Sequence, residues 1–161
     1  MKLWIELLRI ILKALGGSSL KKPEKLETPA AFGKRSLERL ETCHEDLQEI
    51  AHELIKYMDV TVLCGHRGER EQNSAFNSGH SRLMFPRSKH NKTPSRAVDL
   101  APYQGNVPGG VDWKDIGRFK KMVELVEMIA KEKKIKIRLG RDFSFKDWPH
   151  VELHDKHKGN K

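Results

Sequence analysis

The chain has 161 residues, of which 37% are hydrophobic and 33% charged, and its formal net charge is +9. That length supports one domain with a real core; the composition excludes a disordered chain, and two cysteines, Cys43 and Cys64, exclude a disulfide scaffold. The charge points to an anionic partner (nucleic acid, anionic lipid or a wall polymer) or to solubility alone.

Met1 to Leu15 reads as an amphipathic helix, with Leu3, Leu7, Ile10, Ile11, Ala14 and Leu15 on one side and Lys2, Glu6, Arg9 and Lys13 on the other. Gly16-Gly17 ends it. It is too short to span a bilayer and too often interrupted by charge for a cleavable signal peptide. Packing on its own domain, contact with a partner and contact with a membrane surface through residues 1–15 all suit such a helix. Residues 18–32 carry Ser18-Ser19, Pro23, Pro29 and several lysines without apolar period, the pattern of a linker. The expected organisation is a helix over 1–17, a linker over 18–32, a globular domain over 33–154 and a polar tail over 155–161, frayed from His154 onward.

Within the domain, Leu37, Leu40, Leu47, Ile50, Ala51, Leu54 and Met58 predict one helix over 36–58 with Ser36 as N-cap. His44 and His52 on that helix read as surface or boundary residues. Val60–Cys64 reads as a strand, 69–78 as a short polar helix and 79–87 as a loop. Residues 96–101 form a second strand, with Ala97, Asp99 and Ala101 on one face, so that Asp99 stands between two small side chains. After a turn-rich loop over 104–110 come a helix over 115–133, a strand over 135–139, a loop over 140–146 and a last strand over 150–153. This order predicts an α+β domain with a small, mostly antiparallel sheet flanked by helices. The two cysteines are read as reduced thiols, one on a helix and one at a strand end, with a disulfide between them left open.

The chemistry gathers in Ser88-Lys89-His90-Asn91, followed by Ala97-Val98-Asp99, and in Asp147-Trp148-Pro149-His150-Val151-Glu152. His90 and Asp99 are too far apart for one helix face, but a loop stiffened by Pro94 can fold back onto the strand that carries Asp99. If the strands of Asp99 and His150 are neighbours, two imidazoles and a carboxylate converge, a sound ligand set for a catalytic zinc with an open fourth position. Asp147, three residues before His150, can act as general base without ligating the metal. Glu152 shares a strand face with His150 and is the competing base. Arg67, just past a strand end, either forks onto a substrate carboxylate or oxyanion or caps local carbonyls.

Taken together, Cys64-Gly65-His66-Arg67-Gly68-Glu69 with Gln72, then Ser88 to Asp99, then Asp147 to Leu153, resemble the zinc D-alanyl-D-alanine carboxypeptidase family, and most of all its phage branch of L-alanyl-D-glutamate endopeptidase endolysins. The three blocks stand in the family's order, and the resemblance covers residues 32–153. His90 and Asp99 are spaced more widely than in many members, with Pro94-Ser95 where a glycine often stands. The resemblance implies the Hedgehog/DD-peptidase fold and a zinc peptidase domain. It implies His90, Asp99 and His150 as zinc ligands, Asp147 as the catalytic acid, and Arg67 and Ser88 as substrate-binding residues, with Arg67 also catalytic. It further implies hydrolysis of a bond in the peptidoglycan stem peptide, with L-alanyl-D-glutamate favoured and D-Ala-D-Ala carboxypeptidase activity as the alternative. Such an enzyme is made in the cytoplasm of a phage's bacterial host and acts at the cell wall, in the periplasm, with peptidoglycan as its partner and no nucleic acid. The alternative from another class is a basic metal-dependent nuclease or nucleic-acid binder built around His90-Asn91, which would bind DNA with strong salt dependence.

Overall fold

The computed structural model describes residues 23–28 and 30–159. The expected amphipathic helix over 1–17 and the first part of the linker lie outside the described residues. The elements are α1 (Lys34–Leu40), α2 (Glu45–Leu54), β1 (Val60–Cys64), α3 (Glu69–Asn77), β2 (Ala97–Pro102), α4 (Ile116–Glu132), β3 (Ile137–Leu139) and β4 (His150–Leu153), with short 3₁₀ turns at Lys89–Asn91, Pro108–Gly110 and Gly140–Asp142. The four strands form one antiparallel sheet in the order β1-β2-β4-β3.

The helix expected over 36–58 is two helices. The leucine stripe runs through the break, so periodicity alone does not see it. The backbone breaks at Thr42-Cys43-His44, where the Thr42 hydroxyl donates back to the Arg39 carbonyl and His44 Nδ1 caps α2 by accepting from the Asp46 N–H. The freed backbone pairs with the segment that leads into β2: Ser95 N–H donates to Thr42 O and His44 N–H to Ser95 O. The linker also ends earlier than expected, since Leu26 N–H donates to Lys56 O and Ala30 and Phe32 pack on the core.

Strand alternation separates two chemistries. Val98 and Leu100 of β2, Val151 and Leu153 of β4, and Leu139 of β3 are buried in one apolar core with α2 and α4, which supply Leu47, Ile50, Leu54, Phe119, Met122, Val126 and Ile129. The opposite face carries polar side chains in register: Cys64 lies across from Asp99, Asp99 from His150, and Glu152 from Arg138. One hydrophobic face fixes the register, because a slip of one residue would bury Asp99, His150 and Glu152 in the core. A bulge between Val62 and Cys64 ends the regular β1–β2 pairing beside this polar row.

The tail does not fray at His154. His157 is buried, its Nε2 lies 2.6 Å from Asp46 Oδ2, and its Nδ1 accepts from the Lys136 N–H. Arg96 donates to the carbonyls of His154 and His157. Both cysteines are free thiols, and burial pushes the Cys43 thiol up to about 12. No helix among the described residues is long and apolar enough to cross a membrane.

Candidate active site

Three segments deliver the polar cluster. β2 and β4 pair Asp99 directly with His150. His90 arrives from the 3₁₀ turn Lys89–Asn91, whose start is capped reciprocally: Ser88 Oγ accepts from the His90 N–H, and Asn91 Oδ1 accepts from the Ser88 N–H. The turn is anchored to the end of β1, because Arg67 N–H donates to His90 O and Asn91 Nδ2 donates to Arg67 O. Gly65 lets the end of β1 pass close against the end of α1, since a Cβ there would stand 2.1 Å from Arg39 O and 2.4 Å from Thr42 Oγ1.

The three inner atoms form a tight triangle. His90 Nε2 is 3.3 Å from Asp99 Oδ1, His150 Nδ1 is 3.0 Å from the same oxygen, and the two nitrogens are 3.3 Å apart. A tetrahedral ion with bonds of about 2.0–2.1 Å sets its nitrogen and oxygen ligands about 3.3–3.4 Å from one another. The outer nitrogens explain which lone pairs face inward. His90 Nδ1 is 2.7 Å from the Gly65 carbonyl, which can only accept, so in the neutral ring Nδ1 carries the proton and Nε2 is free to ligate. His150 Nε2 likewise faces Glu152 Oε2 at 3.1 Å, which leaves Nδ1 free. Glu152 is itself held by Arg138, 3.1 Å away.

Electrostatics agree with a cation site. Burial works against charging His90, but the Asp99 carboxylate outweighs it and pushes the imidazole up to about 10. Burial is likewise outweighed at His150, by hydrogen bonds to Asp99 and Glu152, and its value rises to about 9. Asp99 is held well below the usual carboxylate range, because the two histidines overcome its burial. The carboxylate thus draws positive charge into the floor of the site, as protons or as a metal ion.

Asp147 is placed by a different device. The loop from the 3₁₀ turn Gly140–Asp142 doubles back so that Asp147 N–H donates to Gly140 O. A Cβ on Gly140 would lie 2.1 Å from Asp147 O and 2.8 Å from His150 Cβ, so only glycine lets the loop close this far. Asp147 then lines the same cavity as His90, Asp99 and His150, a cleft of about 600 Å³. Burial raises its carboxyl above the ordinary value, and the nearby Asp99 charge raises it further.

Arg67 and Ser88 also line the cavity. The Arg67 guanidinium reaches Asp99 Oδ2 at 3.5 Å, Gln72 Oε1 at 3.3 Å and Cys64 Sγ at 3.4 Å. All the residues singled out from sequence therefore meet at one cleft. The His90-Asn91 pair does not act together on a ligand, because the Asn91 amide closes the turn and donates to Arg67 O and Gln72 Oε1.

Two residues of the first motif block had been given no role. Cys64, read as a strand-end thiol at the head of that block, offers a sulfur that lies with ligand atoms of His90 and Asp99 inside a group no more than 4.8 Å across, so a metal site is available there as well. Its signal was strand register: once β1 pairs with β2, Cys64 faces Asp99. Gln72 is a fully buried amide that joins Arg67 to the wall loop by donating to Ser81 Oγ at 2.8 Å. In the sequence it stood only as the last residue of the first motif block, with no role given to it.

A family model for phage L-alanyl-D-glutamate peptidases matches residues 30–158. The chain is 34% identical over 125 residues to the L-alanyl-D-glutamate peptidase of Escherichia phage T5, an alignment covering 76% of this chain and 88% of that protein. Its structure is similar to that of the Serratia marcescens L-Ala D-Glu endopeptidase ChiX, with a TM-score of 0.63 and 27% sequence identity, covering 84% of this chain and 96% of the other. The α+β expectation and the resemblance drawn from three ordered blocks are borne out together, and the cleft lies inside the matched region: the chain belongs to the phage L-alanyl-D-glutamate peptidase family.

Proposed function

We propose that the chain hydrolyses the L-alanyl-D-glutamate bond of peptidoglycan stem peptides with one zinc ion held by His90, Asp99 and His150, and with Asp147 as the proton-transfer group. The observation that carries this reading is the triangle of inward-facing ligand atoms, 3.0–3.3 Å on each side. Cys64 is the rival third ligand. Its group is looser, its sulfur is engaged by Arg67, and His150 already completes a triangle of the right size. Zinc is preferred over harder ions because two imidazoles and one carboxylate suit it.

When bound, the ion supplies Lewis-acid polarisation of the scissile carbonyl and makes water acidic enough to attack at neutral pH. The chain's own residues do the rest. Asp147 takes the proton of the attacking water and delivers it to the amine of D-glutamate as the bond breaks. Its raised value keeps it a better proton acceptor than an exposed aspartate. Arg67 faces the D-glutamate carboxylate left free beside the cut bond, with Gln72 holding its fork in place. Ser88 holds the His90 turn by its oxygen while its hydroxyl lines the cleft. Glu152 is assigned to orienting His150 and not to the proton transfer, because its two oxygens face His150 and Arg138.

The enzyme is placed at the bacterial cell wall, on the periplasmic side, in the host of a phage or prophage. The net charge of +9 suits an anionic wall. Zinc-loaded protein incubated with purified sacculi is expected to release new D-glutamate amino termini, with metal analysis giving one zinc per chain. Release of D-alanine alone would point to carboxypeptidase action, and no release at all would refute the reading.

A further inference from the structure

The cations around the cleft are not equivalent. Arg67 is paired with Asp99, Lys89 with Asp155 and Arg138 with Glu152. Arg82, Arg87 and Lys146 line the same cleft and have no acidic partner among the described residues. Arg82 is built into a platform. Its guanidinium carbon lies 4.2 Å from the centre of the Phe145 ring, a ring 44% exposed. Phe145 in turn packs 5.4 Å from Phe143, and Phe143 5.6 Å from His150. Lys146 follows Phe145 with a backbone φ of +43°, an unfavourable conformation for a residue with a side chain, at the turn that presents the ring.

We propose that Arg82, seated on Phe145 and supported by Lys146, binds a second carboxylate of the substrate. The group is the free carboxylate at the end of the stem peptide's third residue, where that residue is a diamino acid bearing one. The inference rests on the L-alanyl-D-glutamate reading above. The D-glutamate carboxylate beside the cut bond belongs to Arg67, which sits at the metal floor. Arg82 lies farther out, two ring-to-ring contacts and one guanidinium-on-ring contact from His150. Those contacts set an upper limit on the separation, and an extended chain advances about 3.3–3.6 Å per residue, so the residue after D-glutamate falls within that span. A guanidinium on an aromatic face keeps its outer N–H groups open to a carboxylate, and an exposed Phe gains a function it otherwise lacks. The site would therefore discriminate between a third residue with a free side-chain carboxylate, the same residue amidated, and lysine.

The test uses defined muropeptides of these three kinds with the full-length, zinc-loaded protein. Wild type is expected to favour the free carboxylate by about tenfold in kcat/KM, the scale of one charge-assisted contact at an accessible site. Arg82→Gln should bring that ratio close to one, and Arg82→Lys should retain part of it. Equal cleavage of all three by wild type, or an Arg82→Gln loss of the same size on every substrate, would overturn the proposal. Binding of the same peptides to zinc-loaded Asp147→Asn, followed by calorimetry, reads the subsite without hydrolysis: a carboxylate preference removed by Arg82→Gln supports it, and no preference refutes it. Fragment masses from sacculi separately report which bond is cut, so failure of the parent reading is distinguishable from failure of the subsite.

Discussion

Two clusters in this molecule share a composition and differ in outcome. His90, Asp99 and His150 meet at the cleft; His44, Asp46 and His157 meet where the tail packs on α2. In the second cluster backbone N–H groups occupy the imidazole lone pairs: His44 Nδ1 accepts from the Asp46 N–H and His157 Nδ1 from the Lys136 N–H. His157 is left to donate through Nε2 to Asp46. In the first cluster it is the outer nitrogens that are engaged, by Gly65 O and Glu152, and the remaining lone pairs converge. Two histidines and an aspartate therefore make a structural clasp or a candidate metal centre according to which nitrogen the surroundings hold.

This contrast can be broken by substitution. The largest effect is expected from His150→Ala or Asp99→Ala, which should abolish both zinc binding and wall hydrolysis. His157→Ala should keep one zinc per chain by metal analysis. Next comes Asp147→Asn, which should lower kcat by on the order of 10²–10⁴ while leaving the metal in place. Glu152→Gln should weaken zinc affinity by about 10–100-fold, as expected when the partner of a ligating histidine is lost, and a competitive chelator titration would read it.

Acidity sharpens the same comparison. Asp147 must be deprotonated to accept a proton, and burial, the leading cause, raises its value above the usual carboxylate. The rate should therefore fall as pH drops through a point above the ordinary aspartate value of about 3.9, visible as the acid limb of kcat/KM against pH. The smallest effect on catalysis belongs to the clasp. Asp46→Ala leaves His157 buried without its partner and should cost about 1–3 kcal/mol of stability in denaturant unfolding, with the activity of the folded fraction retained.

Much of this was legible in the sequence for identifiable reasons. Asp99 stood between Ala97 and Ala101 on one strand face and His150 shared a face with Glu152 on another strand, so that their convergence waited only on those two strands being neighbours. The ordered blocks brought in Arg67, Ser88 and Asp147. The break at Thr42-Cys43-His44 was hidden because a leucine stripe can continue across two stacked helices. The tail clasp was hidden because a lone histidine in a polar run becomes buried only through a partner 111 positions away. Cys64 and Gln72 needed strand register and a loop anchor, which are long-range facts.

The central claim is that His150, and not Cys64, completes the metal site and that Asp147 stands outside it. Zinc stoichiometry and affinity measured in parallel for His150→Ala, Cys64→Ser and Asp147→Asn test it most directly. The account predicts that His150→Ala loses the ion while Cys64→Ser and Asp147→Asn each keep one zinc at near wild-type affinity. Retention by His150→Ala together with loss in Cys64→Ser would contradict it.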